Sequence, residues 1–391
     1  DSEGDYEYIK KVRYDGRDLD GKYDEDPFEY MGWHYYMSPE DAARGIILMD
    51  QIPEENEDSG DWRNYPDVSK ARFLNDKGES GSNNSYLTEY LLELGYEVHG
   101  VVRRHSVAEN QSARLLDTND KITTHYGDLL DEHSLYKIMN EVKPDEIYNL
   151  AAMSQVRISS DIPSFTLKTN ALGVLNMLEV YKNVVPEAKF YQASSSEMFG
   201  NTVDDDGFQR LTTPMNPVSP YGCAKVLGYN LTRHYRHAYK LQTSNGVLFN
   251  HESPRRGTNF VTNKVVKNAV MISMGYMDTL EMGNMDSSRD WGHSYDYVRA
   301  MHKIVNHDVA DDWVVATGKS YSVREMCDYV FSSLDMNYKD YVVQNPKYMR
   351  PEELKYLCGD SSNTRKVLNW EPTYTFNTML DEMIKYWMDN L

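Results

Sequence analysis

The sequence predicts an α/β protein: a Rossmann-type, doubly wound parallel sheet followed by a smaller C-terminal α/β substrate lobe. Two observations carry this expectation. Between residues 87 and 194, apolar residues at helical spacing alternate with short apolar runs, the pattern of parallel strands joined by crossover helices. Just before the first of those helices stands Lys77-Gly78-Glu79-Ser80-Gly81-Ser82-Asn83-Asn84, where Gly78 and Gly81 would let backbone amides approach a phosphate.

The elements follow in order. Leu87, Tyr90, Leu91 and Leu94 share one helical face, Gly95 stops that helix, and Tyr96 to Val102 reads as a strand. Another short strand ends at Tyr126-Gly127-Asp128-Leu129. Leu135, Ile138, Met139 and Val142 mark a second helix, and Glu146 to Leu150 the next strand. Leu172, Leu175 and Leu178 mark a third helix, with Lys189 to Ser194 the strand after it. Beyond residue 250 the elements are less regular, as expected of a capping lobe. There Ser322-Val323-Arg324-Glu325 is a capping box opening a helix. Phe376, Met379, Leu380, Met383, Ile384 and Trp387 form the buried stripe of the last helix.

Composition sets the class. The chain has 391 residues, 40% hydrophobic and 26% charged, ordinary values for a soluble globular protein. No apolar run approaches the roughly 20 residues of a membrane span. Three widely spaced cysteines (Cys223, Cys327, Cys358) argue against a disulfide framework or a zinc cluster, so a cytoplasmic setting and no metal are expected. The net charge of −20 is concentrated in residues 1–70, which carry about 20 acidic against about 8 basic side chains. That stretch reads as an acidic extension of unknown role. No basic stripe with interleaved aromatics is present, so nucleic acid is not an expected partner.

The chemistry is carried by short runs at predicted strand ends. Arg103-Arg104 follows the second strand, 22 residues beyond Gly81. An acid at that place would bind a ribose 2′-hydroxyl, whereas an arginine suits a 2′-phosphate and favours NADP; the competing reading is a solvated basic pair. Asp128 is placed to accept from an adenine amino group. Leu150-Ala151-Ala152-Met153 closes a strand with small residues beside the cofactor, and Ser154 continues that run. Ala193-Ser194-Ser195-Ser196-Glu197 opens into the crevice at the carboxyl ends of the strands. Pro220-Tyr221-Gly222-Cys223-Ala224-Lys225 opens a helix with Tyr221 and Lys225 on one face. An ammonium beside a phenol lowers its pKa and makes phenolate available as a base. Glu197 separates reactions: oxidising a sugar at C4 needs only the tyrosine, a hydroxyl helper and a nicotinamide. Eliminating water across C5–C6 needs a further base. Asn250-His251-Glu252-Ser253-Pro254-Arg255-Arg256-Gly257, after the apolar run Gly246 to Phe249, gathers more polar groups than packing calls for and suits a phosphate grip.

These runs resemble the GDP-mannose 4,6-dehydratase family of the extended short-chain dehydrogenase/reductase superfamily. The resemblance covers about residues 72–391. It is carried by Gly95 to Gly100 with Arg103-Arg104, Glu146 to Ala151, Phe190 to Ser194, Asn250 to Gly257, Arg289-Asp290-Trp291-Gly292-His293 and Arg350-Pro351-Glu352-Glu353. It implies an NADP-dependent enzyme in which Ser195, Glu197, Tyr221 and Lys225 are catalytic. Gly78, Gly81, Arg103, Asp128, Leu129, Leu150, Ala151, Ala152, Ser154, Lys225, His251 and Arg256 would meet the cofactor, and Asn250, Lys264, Arg289, Arg350 and Glu353 the GDP-mannose. A homodimer or homotetramer is also implied. The sequence departs from the family pattern at Phe73-Leu74-Asn75-Asp76 and Asn84 in the first strand and loop. Phe165 and Lys355 depart from it too, and serine stands at 195 where threonine is usual. The expected division is 1–70 extension, 71–250 NADP-binding Rossmann domain and 251–391 mainly nucleotide-sugar-binding lobe. Two other readings stand beside the dehydratase: a nucleotide-sugar epimerase or reductase, and a catalytically weak binding or scaffold relative.

Overall fold

Helix and strand alternate through the first half of the chain as the apolar spacing predicts. The structure, a computed structural model, describes residues 81–103, 121–349 and 352–391, with side chains from Ser85 onward. The acidic extension, Phe73–Asp76, Gly78, Arg104 and Arg350 lie outside the described residues. Helix α1 (Gly81–Glu93) buries Leu87 and Leu91 and is stopped at Gly95, whose φ of +86° suits a residue without a side chain. Leu94 falls beyond the last turn and is 47% exposed, so it is not part of the predicted buried face. Strands β1 (His99–Val102) and β2 (Thr123–Tyr126) pair in parallel.

Helix α2 (Glu132–Val142) buries Leu135, Ile138 and Met139, and the Asp131 side chain accepts from the Ser134 amide at its start. It leads to β3 (Glu146–Asn149). The third helical stretch is broken into α3 (Val156–Asp161), α4 (Pro163–Leu167) and, after a π-turn at Lys168–Leu172, α5 (Gly173–Val184). The π-turn inserts one residue into the helical phase. That swings Leu172 out to 50% exposure while Leu178 is fully buried, so the expected stripe holds only from Leu175 onward.

The main sheet has the order β3-β4-β5-β9, all parallel, with β4 Lys189–Ser195, β5 Thr243–Leu248 and β9 Asp312–Val315. Its interior strands carry polar residues because those residues satisfy one another. Asn149 Nδ2 donates to Gln192 Oε1 at 2.8 Å, and Ser194 Oγ to Asn245 Oδ1 at 3.1 Å. Asn245 Nδ2 in turn reaches Asp312 Oδ1 at 2.9 Å. Between β4 and β5 runs α6 (Pro220–Tyr239), whose Tyr229 hydroxyl also donates to Asp312. Paired in this way, buried amides and carboxylates avoid the desolvation cost that would otherwise expel them.

After residue 250 the chain builds a lobe but returns once to the sheet. Strands β6 (Asn250–Glu252), β8 (Ser288–His293) and β10 (Ser320–Ser322) form a small sheet ordered β10-β8-β6, and β7 (Leu280–Met282) pairs with β11 (Val342–Gln344). Helices α7 (Val261–Ser273), α9 (Val323–Ser332) and α11 (Phe376–Asn390) pack around Val265, Val270, Met326, Phe331, Leu380 and Trp387. The Ser322–Glu325 capping box forms at the start of α9. Helix α8 (Ser294–Val305) and β9 belong to the other half, where Tyr297, Val298 and Met301 pack on Leu87 and Leu91. No helix among the described residues is long and apolar enough to cross a membrane.

Candidate active site

The end of β4 fixes the first part of the site. Ser195 remains extended and its Oγ accepts the amide of Glu197 at 3.2 Å, capping the single turn Ser196–Phe199. That cap buries Glu197 at the strand end, where its residue is 8% exposed. The chain then loops out and returns as α6, with Pro220 in the first turn and the Ser219 Oγ accepting from the Gly222 amide at 3.0 Å. Gly222 is needed there: a Cβ would stand 2.8 Å from both the Glu197 carbonyl oxygen and Pro217 Cβ. So the approach of α6 to the Ser195–Glu197 turn depends on a missing side chain.

Four residues after Tyr221 on α6, the buried Lys225 Nζ donates to the Ala193 carbonyl at 2.8 Å and lies 5.6 Å from the centre of the Tyr221 ring. Burial pushes the Lys225 pKa down to about 8. An ammonium has three protons to donate, and the Ala193 carbonyl accepts one of them.

The segment after β5 supplies the facing wall. His251 Nδ1 lies 2.7 Å from the Phe249 carbonyl; since a carbonyl only accepts, Nδ1 carries the proton and Nε2 is the acceptor. Burial, with Arg256 nearby, pushes the His251 pKa down to about 3, so the ring is neutral. Arg256 Nε stands 3.2 Å from the buried Glu252 carboxylate, which also accepts from the Thr262 hydroxyl at 2.7 Å. Burial pushes the Glu252 carboxyl up against the pull of Arg256. The two adjacent arginines do not act together. Arg255 turns the other way, donating to Glu89 Oε1 at 2.6 Å and Ser85 Oγ at 3.1 Å on α1. Of the two adjacent arginines only Arg256 faces the cavity, because the turn sends successive side chains to opposite sides.

These parts surround a cavity of about 900 Å³. It brings together all four expected catalytic residues, Ser195, Glu197, Tyr221 and Lys225. Leu150, Ala152, Ser154, His251 and Arg256 of the expected cofactor set also line it, as do Asn250, Lys264, Arg289 and Glu353 of the substrate set. Other expected residues stand apart from it. Arg103 is exposed at the end of β1, and the Asp128 carboxylate accepts the Leu130 amide at 2.9 Å. Leu129 is buried in the core against Gly173, Ala151 is exposed, and Gly81 begins α1. A smaller chamber of about 430 Å³ adjoins the cavity and shares Val156, Arg157 and Glu197 with it.

Sequence reasoning missed Lys267. Its ammonium lines the cavity, lies 4.7 Å from the centre of the Trp387 ring and meets no carboxylate among the described residues. Partial burial lowers its pKa. Its signal was available, since Lys264 and Lys267 are three apart and share a face of α7. Lys264 itself donates to the Glu281 carbonyl at 2.6 Å, and its Nζ lies 4.1 Å from the Tyr348 ring centre. Arg289 is 6% exposed and spends one N–H on the Ser288 carbonyl. The lobe side of the cavity is thus cationic, and the sheet side holds the Ser–Glu–Tyr–Lys cluster.

A parallel sheet with serine, tyrosine and lysine converging at its strand ends is the arrangement of short-chain dehydrogenase/reductase proteins. The fold agrees. The structure is similar to a dTDP-glucose 4,6-dehydratase from Bacillus anthracis (TM-score 0.69, 21% identity, 80% of this chain and 95% of that one). It is similar also to a UDP-glucose 4-epimerase from Thermotoga maritima (TM-score 0.70, 23% identity, 80% and 97%). The sequence narrows the class: residues 77–383 match the pattern of the family described as GDP-mannose 4,6 dehydratase. The chain is 40% identical over 365 residues to a GDP-mannose 4,6 dehydratase of Drosophila melanogaster, covering 86% of this chain and 92% of that protein. It is 41% identical over 332 residues to the Homo sapiens protein of that name, covering 78% and 89%. The chain belongs to the GDP-mannose 4,6-dehydratase family.

Proposed function

We propose that this chain is an NADP-dependent GDP-mannose 4,6-dehydratase, an enzyme that removes water from C5 and C6 of the mannose and leaves a 4-keto-6-deoxy sugar. The observation that carries the reading is Glu197 on the same cavity wall as Ser195, Tyr221 and Lys225. A 4-epimerase or a simple 4-ketoreductase of this fold has no use for a C5 base.

Each side chain has a task that its surroundings support. Tyr221 takes the proton of the C4 hydroxyl, aided by the positive charge of Lys225, while the Ser195 hydroxyl orients the sugar oxygen. Once C4 is a ketone, the C5 hydrogen is acidic and Glu197 removes it. The C6 hydroxyl then departs as water, taking a proton from the acid form of Glu197. When bound, the nicotinamide would supply the oxidant for C4 and return the same electron pair at C6, and C5 then takes a proton from solvent by way of Glu197. The diphosphate of the substrate is placed on the lobe side, where Lys264, Lys267 and Arg289 stand. Charge-assisted hydrogen bonds to a dianion suit cationic side chains that are partly buried on a cavity wall.

The residues present fit a nicotinamide dinucleotide. Lys225 spends one proton on Ala193 and has two left for ribose hydroxyls, neutral His251 and cationic Arg256 face the same space, and Ala152 and Ser154 leave room for a ring. NADP rather than NAD is favoured by Arg103 at the end of β1, the place from which a 2′-phosphate is met. Arg103→Ala is expected to weaken NADP⁺ binding far more than NAD⁺ binding; equal losses would remove the preference. We further assign the division into a cofactor half and a substrate lobe. A homodimer or homotetramer in the cytoplasm remains the expected setting. The direct test of the activity is mass spectrometry of the nucleotide sugar after incubation with GDP-mannose and NADP⁺. Loss of one water supports the assignment, and an unchanged mass with bound cofactor opposes it.

A further inference from the structure

Arg255 is a charged member of the Asn250–Gly257 run that the reaction leaves unused, and its contacts are specific. Its guanidinium lies 4.2 Å from the centre of the Tyr86 ring, donates to Ser85 Oγ at 3.1 Å and pairs with Glu89 at 2.6 Å. Ser85 and Tyr86 stand in the first half of α1 and Glu89 one turn beyond Ser85, and Ser85 is only 1% exposed. On another face of the same helix, Leu87 and Leu91 already anchor α1 by packing against Tyr297, Val298 and Met301. Arg255 therefore adds a polar hold on the helix end nearest the glycine-bearing segment.

The carrier of Arg255 is itself tightly set. Its amide donates to Ser253 Oγ at 3.2 Å, and the Arg256 amide donates to the Ser253 carbonyl at 3.0 Å. On that same turn Arg256 faces the buried Glu252 and the cavity. One short turn thus holds α1 with one arginine and the cavity wall with the next.

We propose that Arg255 is a positioning residue for the cofactor. It fixes the start of α1 and the Arg256 side of the cavity in one frame, so that a dinucleotide can meet both at once. The inference rests on the reading that the cavity takes a nicotinamide dinucleotide, with its diphosphate at the positive end of α1. It assigns Arg255 no contact with substrate, cofactor or reacting atoms. An arginine serves here because its Nη1 reaches both the Ser85 hydroxyl and the Glu89 carboxylate while the guanidinium carbon lies 4.2 Å from the Tyr86 ring centre, a broad contact that a compact ammonium does not make.

The test is equilibrium binding of NADP⁺ and, separately, of GDP to the full chain and to Arg255→Met, Arg255→Lys and Glu89→Gln, with a melting curve for each. Arg255→Met is expected to weaken NADP⁺ at least about tenfold and to leave GDP within about twofold. Arg255→Lys should recover part of the loss, and Glu89→Gln, which keeps the arginine and its ring contact, should lose less than Arg255→Met. Unchanged NADP⁺ affinity in folded Arg255→Met would overturn the inference, as would equal losses for NADP⁺ and GDP. If Arg255→Met does not fold, Arg255→Lys and Glu89→Gln decide: parent-like NADP⁺ affinity in both overturns it. A parent protein that binds GDP but no nicotinamide dinucleotide would overturn the functional reading and this inference together. Loss of the inference alone requires a parent that binds both.

Discussion

The ammonium of Lys225 donates to the carbonyl of Ala193 at 2.8 Å, fastening the helix that carries Tyr221 to the strand that ends at Ser195. This single bond links the base to the hydroxyl beside it. Burial brings the Lys225 pKa from its ordinary 10.5 down to about 8. Because the ammonium is the form that favours a Tyr221 phenolate, kcat/KM is expected to fall as pH rises through about 8. The contribution of this group to stability has the opposite sign. Its folded pKa is the lower one, so between about 8 and 10.5 the unfolded chain holds more protons and stability rises with pH. A pH–rate profile flat through that window would contradict the assignment.

Lys267 gives a prediction about binding. Lys267→Met removes a partly buried cation with no carboxylate partner among the described residues to leave behind. We expect KM for GDP-mannose to rise by about tenfold, with kcat within about twofold, the signature of an interaction equal in ground and transition states. A loss confined to kcat would place Lys267 in the chemistry instead.

Gly222 gives a prediction about packing. An alanine methyl there would meet the Glu197 carbonyl oxygen and Pro217 Cβ, each at 2.8 Å. Neither atom is the end of a flexible side chain, so relief requires moving α6 or the Ser195–Glu197 turn. Gly222→Ala should cost about 1–3 kcal/mol of stability in denaturant unfolding, the range for overpacking. Parent-like stability would mean that the two segments are less closely fixed than the geometry states.

Much of the fold was legible in the sequence because period and punctuation agree. Leu87 and Leu91 before Gly95, Leu135 to Met139, and the stripe from Phe376 to Trp387 all occur where the spacing placed them. Leu94 and Leu172 failed for local reasons: one lies past the last helical residue, Glu93, and the other ends a π-turn that periodicity does not reveal. The proposed catalytic cluster was legible because Ser195, Glu197, Tyr221 and Lys225 lie in two short runs at predictable strand and helix ends, and the structure brings them to one cavity. The division of labour between Arg255 and Arg256 was not, since it depends on which side of a turn α1 occupies. Lys267 was hidden by its surroundings. Only the packed lobe distinguishes a cation facing a cavity from one facing solvent.

The most direct test of the central claim is the reaction run in heavy water on the parent protein and on Glu197→Gln, with mass spectrometry and NMR of the nucleotide sugar. The account predicts that the parent product lacks one water and carries one solvent deuterium at C5, while Glu197→Gln loses its elimination rate by about a thousandfold but still binds NADP⁺ and GDP-mannose. A parent product without deuterium at C5, or a Glu197→Gln variant that eliminates water at the parent rate, would contradict it.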